Sequence, residues 1–446
     1  MKKSFKLLFL IIFTLICTLL FTSCGNNGNA DENPTPEDNG RTIVLNVFNW
    51  GEYISDGFEG SLDSVKAFEE YYFEKFGKKI KVNYSTYATN EDMYSKLKSG
   101  AGSYDIVIPS DYMIDKMIKE DMLLPFDATT IANYVNIDDQ FKNLYFDPNN
   151  MYSVPYTYGM LGVIYNQALV DEEDVKAQSW SLLWNEKYRG KILQFNNPRD
   201  AFASAMYYAG LDVNTTSTAD WDKALNKLME QKPLIQGYVN DEIFNKMTTA
   251  SAAIAPYFAG DFITMAGDNE DLCFYYPKEG SNYFVDSMCI PKSSKNPEAA
   301  KEFINFMLSE EPAIANATYI GYASPNKLVR NLVFDDVPDE YTDALLEYTP
   351  DAIEILYGKT PEEVNEGYAF NPCYKSFSPE IQDYTNTLWE SLKTENSTEL
   401  WVHITTVVIV VAVLSLAIYN VVIEKIRSKD YRLRDKKKRQ AAKQKQ

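Results

Sequence analysis

Residues 44–53 read V-L-N-V-F-N-W-G-E-Y, an almost unbroken apolar run that turns abruptly into Trp50, Gly51, Glu52 and Tyr53. A run of that kind predicts a strand buried on both faces of a parallel sheet. From 61 to 76 the apolar positions move to Val65, Phe68, Tyr72 and Phe76, the spacing of an amphipathic helix, and Gly77 ends it. Ile80, Val82 and Tyr84 alternate as a second strand. Asn90 then caps a short helix ending near Gly100, and D-I-V-I-P at 105–109 is a third strand. The order β-α-β-α-β predicts a parallel sheet with right-handed crossovers. Ser110 and Asp111, between the third strand and a helix at 113–123, are residue types that cap helices, whereas Tyr112 is not.

The pattern then changes. Residues 152–166, Y-S-V-P-Y-T-Y-G-M-L-G-V-I-Y-N, form a long aromatic extended segment, read as a crossing between lobes. A second α/β series follows: strand 191–195, helices 200–209, 219–230 and 241–247, strand 252–258 ending in Pro256, Tyr257 and Phe258, and strand 272–276. F-V-D-S-M-C-I-P at 284–291 reads as the return crossing. Asn296-Pro297 opens a helix through 308, with proline at the first helical position, and Ser378-Pro379 opens another. Two α/β lobes joined by two crossings make a cleft that can hinge shut. Ligands of open α/β sheets gather beyond the carboxyl ends of strands. That rule places Trp50, Glu52, Tyr53, Ser110, Tyr112, Asp200, Tyr257, Phe284 and Asp286 at the cleft.

The two ends of the chain differ from its body. Residues 1–24 carry Lys2, Lys3 and Lys6, an apolar stretch, then Thr22-Ser23-Cys24, the pattern of a lipoprotein signal peptide with Cys24 as the acylated residue. Residues 25–41 have almost nothing to bury and read as a disordered tether. The 22 residues 402–423 contain no aspartate, glutamate, lysine or arginine. As a helix they span about 33 Å, enough for a hydrocarbon core of about 30 Å, so a transmembrane helix is expected there. The basic tail at 424–446 then lies in the cytoplasm by the positive-inside rule, with the body outside. Beside a membrane helix such a tail marks topology and anionic-lipid contact rather than nucleic-acid binding.

Lysine and arginine concentrate at those ends, so the body is more acidic than the net charge of −20 for the whole chain. That balance disfavours nucleic acid and suits a cationic partner. Cys273, Cys289 and Cys373, an odd trio within apolar runs, make neither a disulfide framework nor a metal cluster. The single histidine, His403, leaves the body without a Ser-His, Cys-His or histidine-ligated zinc centre. No glycine-rich phosphate loop is present. An enzyme would have to rely on a carboxylate pair, as glycan-acting enzymes do.

The ordered motifs F-N-W-G-E-Y (48–53), S-T-Y-A-T-N-E-D-M-Y (85–94), Y-D-I-V-I-P-S-D-Y (104–112), D-P-N-N-M-Y-S-V-P-Y (147–156), P-K-E-G (277–280), V-D-S-M-C-I-P (285–291) and I-G-Y-A-S-P-N (320–326) together carry a resemblance. Over about 41–393 the chain resembles the polyamine-binding members of the bacterial extracellular solute-binding proteins that serve ABC importers. The resemblance implies a two-lobed periplasmic-binding-protein-like (type II) fold with no cofactor and no enzymatic activity. Lobe one would hold 42–158 and 286–328, and lobe two 159–285 and 329–396. It implies that spermidine or putrescine lies between Trp50 and Tyr53, near Ser110 and Tyr112, with Asp286 binding an amine. Phe284 and Tyr257 stand where the family often has tryptophan, and Tyr322 is the tyrosine of I-G-Y. The family's D-x-R-E pair is altered to Asn197-Pro198-Arg199-Asp200, one acid lost and one shortened. The partners implied are the permease subunits and, through both chain ends, the lipid bilayer.

The chemistry of a polyamine fits independently. Its ammonium groups call for carboxylates, at roughly 1.5–3 kcal/mol per charge-assisted hydrogen bond. Its methylenes and cations both suit aromatic faces, at about 0.5–2 kcal/mol per ring. Plainer roles exist for each residue: Asp286 as a backbone partner, Glu52 as a solvated loop acid, Asp200 as a helix-start acid, and Tyr257 as core. A sugar or ferric iron remains an alternative ligand for the same fold.

Overall fold

The computed structural model describes residues 42–334, 350–394 and 405–416, with scattered helical positions from 418 to 434. From Ile43 onward these residues belong to one compact unit. The expected signal peptide, Cys24 and the tether lie outside the described residues.

The strands are β1 (Ile43–Trp50), β2 (Ile80–Tyr87), β3 (Ile106–Val107), β4 (Ser153–Asn166), β5 (Ile192–Phe195), β6 (Ile235–Val239), β7 (Ile254–Phe258), β8 (Leu272–Tyr275) and β9 (Tyr283–Cys289). Among the described residues they form a mixed sheet in the order β2-β1-β3-β9-β4-β7-β5-β6, with β8 on the free side of β4. The expected parallel βαβ units are present, since β1 pairs in parallel with β2 and β3, and β5 pairs in parallel with β6 and β7. The two long crossings run antiparallel to each other and join these halves. Residues 153–160 of β4 pair with β9, whereas 161–166 pair with β7 and β8. One 14-residue strand therefore hands the sheet from one half to the other, with a register shift between Pro155 and Thr157.

Burial follows the apolar pattern. Leu45, Val47 and Phe48 of β1 are buried, as are Phe68 of helix Ser64–Phe76 and Phe202 of helix Pro198–Ala209. Asp63 caps helix Ser64–Phe76 by accepting from the backbone N–H of Lys66, and Gly77 closes it in the left-handed conformation that glycine adopts without strain.

Three expectations need correction. The third strand is only Ile106–Val107, shorter than 105–109. The Asp105 carboxylate is taken by the backbone of Asn46, Lys295 and Asn296, and Pro109 has no N–H to give a ladder. The helix at Asn90–Ser99 is capped by Thr89, not Asn90. Finally β6 was not anticipated, because Gln236 and Gly237 break its apolar run.

The expected membrane helix at 402–423 falls partly on residues outside the described ones. Residues 405–416 are helical with exposed side chains, and among the described residues no helix is long and apolar enough to cross a membrane.

Candidate functional site

Among the described residues a large cavity opens where β1, β3, β5, β7 and β9 end or begin, with about 890 Å³ of atom-free space including its mouth. Nine of the ten residues expected at the site line it: Trp50, Tyr53, Ser110, Tyr112, Asp200, Tyr257, Phe284, Asp286 and Tyr322. Glu52 does not. It sits largely exposed in a tight turn at φ 48, next to the rim, and partial burial of its carboxyl, with the charges of Asp241 and Asp56, raises its pKa. A left-handed glutamate directs its side chain off the strand axis, so the position that sequence order put in the cleft lies at its edge.

β1 delivers the first group. The Trp50 indole N–H donates to the Ile108 carbonyl at 2.9 Å, fixing the ring at the end of β3, and its ring tilts against Tyr87 at 4.7 Å. Three residues on, the Tyr53 hydroxyl contacts Thr157 and donates to Asp286 Oδ2 at 2.8 Å. Tyr53 also packs edge-on against Tyr322 at 4.9 Å. The helix after β3 begins with Ser110, whose backbone N–H donates to Asn90 Oδ1 and which makes no side-chain cap. Asn90, freed from capping, also donates to Ser110 Oγ at 3.1 Å and to the Tyr112 hydroxyl at 3.2 Å. Tyr112 in turn donates to Glu91 Oε1 at 3.0 Å. Asp111 turns inward beside its own helix start, and burial drives its carboxyl well above the ordinary range.

The crossing strand β9 carries Asp286, 4 % exposed. Its Oδ2 accepts from Tyr53, while its Oδ1 is buried with no partner in hydrogen-bond geometry, although the Ser110 hydroxyl stands close enough to pull the pKa down. Burial lifts its pKa to about 7, against the pull of the neighbouring hydroxyls. A buried carboxylate oxygen with nothing to accept from is costly and calls for a donor. Asp200 is arranged differently. The side chain of Asn197 caps helix Pro198–Ala209 by accepting from the Asp200 N–H at 2.8 Å, and its amide donates back to Asp200 Oδ2 at 2.9 Å. The Tyr374 hydroxyl donates to Asp200 Oδ1 at 3.0 Å. Both oxygens are thus engaged by neutral donors, and burial raises the pKa to about 6.

Several lining groups escaped the sequence reading. Asp261, in the first turn of the helix after β7, accepts from Tyr322 at 3.0 Å, and burial with nearby Asp241 and Glu52 lifts it to about 8. The strand-end rule that chose Tyr257 would have reached it. Glu91 lies inside the quoted motif 85–94 and was passed over. Arg199 sits between Asn197 and Asp200 and was treated only as spacing. Tyr374 comes from a segment with no periodicity that contacts both halves: Tyr145 donates to its carbonyl, and Asn214 donates to the carbonyl of Cys373. Nothing in the sequence singles it out.

Two parallel half-sheets, tied by a pair of antiparallel crossing strands around an acid- and ring-lined cavity, are the architecture of a solute-binding protein. The chain belongs to the bacterial extracellular solute-binding protein family, whose model matches residues 63–345. It is similar to the spermidine/putrescine-binding periplasmic protein of Escherichia coli (strain K12), 33% identical over 339 residues, which cover 75% of this chain and 89% of that one. It is also similar to the putrescine/cadaverine-binding protein of Pseudomonas aeruginosa, 28% identical over 320 residues, covering 68% and 87% of the two chains. Among solved structures, the spermidine/putrescine ABC transporter substrate-binding protein PotD from Streptococcus pneumoniae, in complex with calcium and HEPES, matches with a TM-score of 0.60 and 33% identity. That match covers 79% of this chain and 99% of the other.

Proposed function

We propose that this chain is the extracytoplasmic substrate-binding component of an ABC importer, and that its cargo is a polyamine such as spermidine or putrescine. One observation carries the reading: Asp286 presents a buried carboxylate oxygen without a partner to a cavity whose other walls are aromatic rings and further carboxylates. An ammonium group supplies the missing donor, and its charge favours the ionised form that burial disfavours. The rings of Trp50, Tyr257 and Phe284 offer faces for the methylenes and for the cations. A neutral sugar would also use rings, but would leave the acidic lining uncompensated. Among the described residues no group of three or more histidine, cysteine or acidic side chains is placed to hold a metal ion, so a ferric-ion reading would have to draw on the tyrosines of the lining.

In this reading 42–158 with 286–328 and 159–285 with 329–396 are the lobes, and a ligand that touches both favours their closure. Glu52 acts at the rim rather than as a direct contact. Cys24 as a lipid site and 402–423 as a membrane helix would hold the binder beside its permease, raising the effective concentration, with the tail 424–446 in the cytoplasm.

The test is a thermal-shift series on the purified chain with spermidine, putrescine, maltose and ferric ion. A polyamine at about 100 times its Kd contributes roughly 2.7 kcal/mol to the folded state, which raises Tm by several degrees. Stabilisation by maltose or iron alone would replace this reading, and turnover of a glycan would favour an enzyme.

A further inference from the structure

A second, smaller cavity lies against the first, lined by Lys116, Phe202, Trp221, Phe377, Gln382 and Thr385 among others. Three side chains face both spaces: Glu91, Tyr112 and Arg199. They are the partition, and Arg199 is its cationic member. Arg199 is 8 % exposed, and its guanidinium rests over the rings of Phe377 at 4.0 Å, Tyr374 at 4.4 Å and Tyr112 at 5.6 Å. Its Nη2 donates to Asn214 Oδ1 at 3.1 Å and to the Lys375 carbonyl at 3.2 Å. Its Nε and Nη1 are buried with no hydrogen-bond partner, and Glu91, Asp111 and Asp200 act on it through their charge without ion-pair contact among the described residues.

Three ring faces within about 6 Å of a cation, beside a half-buried glutamate, are what a protein offers to an ammonium group of a ligand. Here the protein fills that box with a cation of its own. An amine entering the main cavity meets carboxylates at Asp286 and Asp200 and then, at the partition, a positive charge that repels it at short range through a medium of low dielectric. We propose that Arg199 sets the length of polyamine the cleft accepts, by occupying as an internal cation the aromatic box that a further aminopropyl arm would otherwise enter. This rests on the polyamine reading above and names the part of the site that discriminates among polyamines. Truncation to alanine would vacate more heavy-atom space than an aminopropyl arm fills, and would join the two cavities.

The experiment is calorimetric titration of the purified chain with putrescine, spermidine and spermine, for wild type, Arg199→Ala, Arg199→Gln and Arg199→Lys. Wild type is expected to bind spermine at least about tenfold more weakly than the better of the two shorter amines. Arg199→Ala is expected to raise the spermine-to-putrescine affinity ratio at least about tenfold. Arg199→Gln, which stays within reach of Asn214, moves the ratio the same way and serves if the alanine variant melts below the assay temperature. Arg199→Lys keeps a cation in the box and keeps the wild-type ratio. A merely structural arginine would weaken all three amines together, and an unchanged ratio in a folded Arg199→Ala or Arg199→Gln chain overturns the proposal. Equal binding of all three amines by wild type overturns it as well. If wild type binds none of them, the polyamine reading itself fails, which is a distinguishable result.

Discussion

Asp286 and Asp200 are both buried carboxylates lining one cavity, yet their surroundings are opposite. Asp200 has each oxygen engaged by a neutral donor, Asn197 on one side and Tyr374 on the other. Asp286 has one oxygen engaged by Tyr53 and the other without a partner in hydrogen-bond geometry, with only the Ser110 hydroxyl nearby. A ligand ammonium therefore gains a new partner at Asp286, whereas at Asp200 it must share or displace one that already exists. On the polyamine reading, the acid on the crossing strand is then the anchor, and the acid at the helix start shapes the field around it.

The largest effect should follow from removing the anchor. Asp286→Asn leaves the ligand cation without its carboxylate, a loss of about 3 kcal/mol, or roughly 100-fold in Kd by calorimetry. Asp200→Asn should cost less, about tenfold, because neutral donors already saturate that carboxylate. Equal losses at the two positions would erase the distinction between them. Next comes Tyr257→Leu, which removes a ring face but keeps an apolar wall, and an effect of about 1 kcal/mol, near fivefold, is expected from the same titration.

Protonation sharpens the contrast further. Folded-state values of about 6 for Asp200, 7 for Asp286 and 8 for Asp261 lie above the ordinary carboxylate range. A carboxyl raised by folding adds stability that is complete below its unfolded pKa, near 4, and is lost as the pH rises through its folded pKa. The ligand-free chain should therefore lose Tm as the pH rises from about 4 to about 8 in differential scanning calorimetry. Ammonium binding favours the ionised form, so polyamine affinity should rise several-fold over the same window, and Asp286→Asn should flatten that rise. The smallest effect is expected at Gly51, where an added Cβ would stand 2.3 Å from Asp241 Oδ2. Gly51→Ala should displace that short side chain and weaken binding only a few-fold.

Much of this site could be read from residue order because strands and crossings have simple rules. The ends of β1 and β3 and the crossing strand β9 brought Trp50, Tyr53, Ser110, Tyr112, Phe284 and Asp286 to one place through sheet pairing alone. Glu52 failed that rule because a single left-handed residue redirects a side chain without any change in polarity pattern. Tyr374 and Arg199 were invisible for another reason. Their roles come from tertiary contacts: the segment around Tyr374 reaches the cavity through Tyr145 and Asn214, and Arg199 acts through three rings distant in sequence. The strand β6, with glycine and glutamine inside it, shows the same limit in the scaffold.

Calorimetric comparison of wild type and Asp286→Asn with a polyamine, at a pH near 8 where the carboxylate is ionised, tests the anchoring role of Asp286 most directly. Tight binding by wild type and a loss of roughly 100-fold in a variant that melts cooperatively is the expected result. Undiminished binding in Asp286→Asn, or no polyamine binding by the wild-type chain at millimolar concentration, would contradict it.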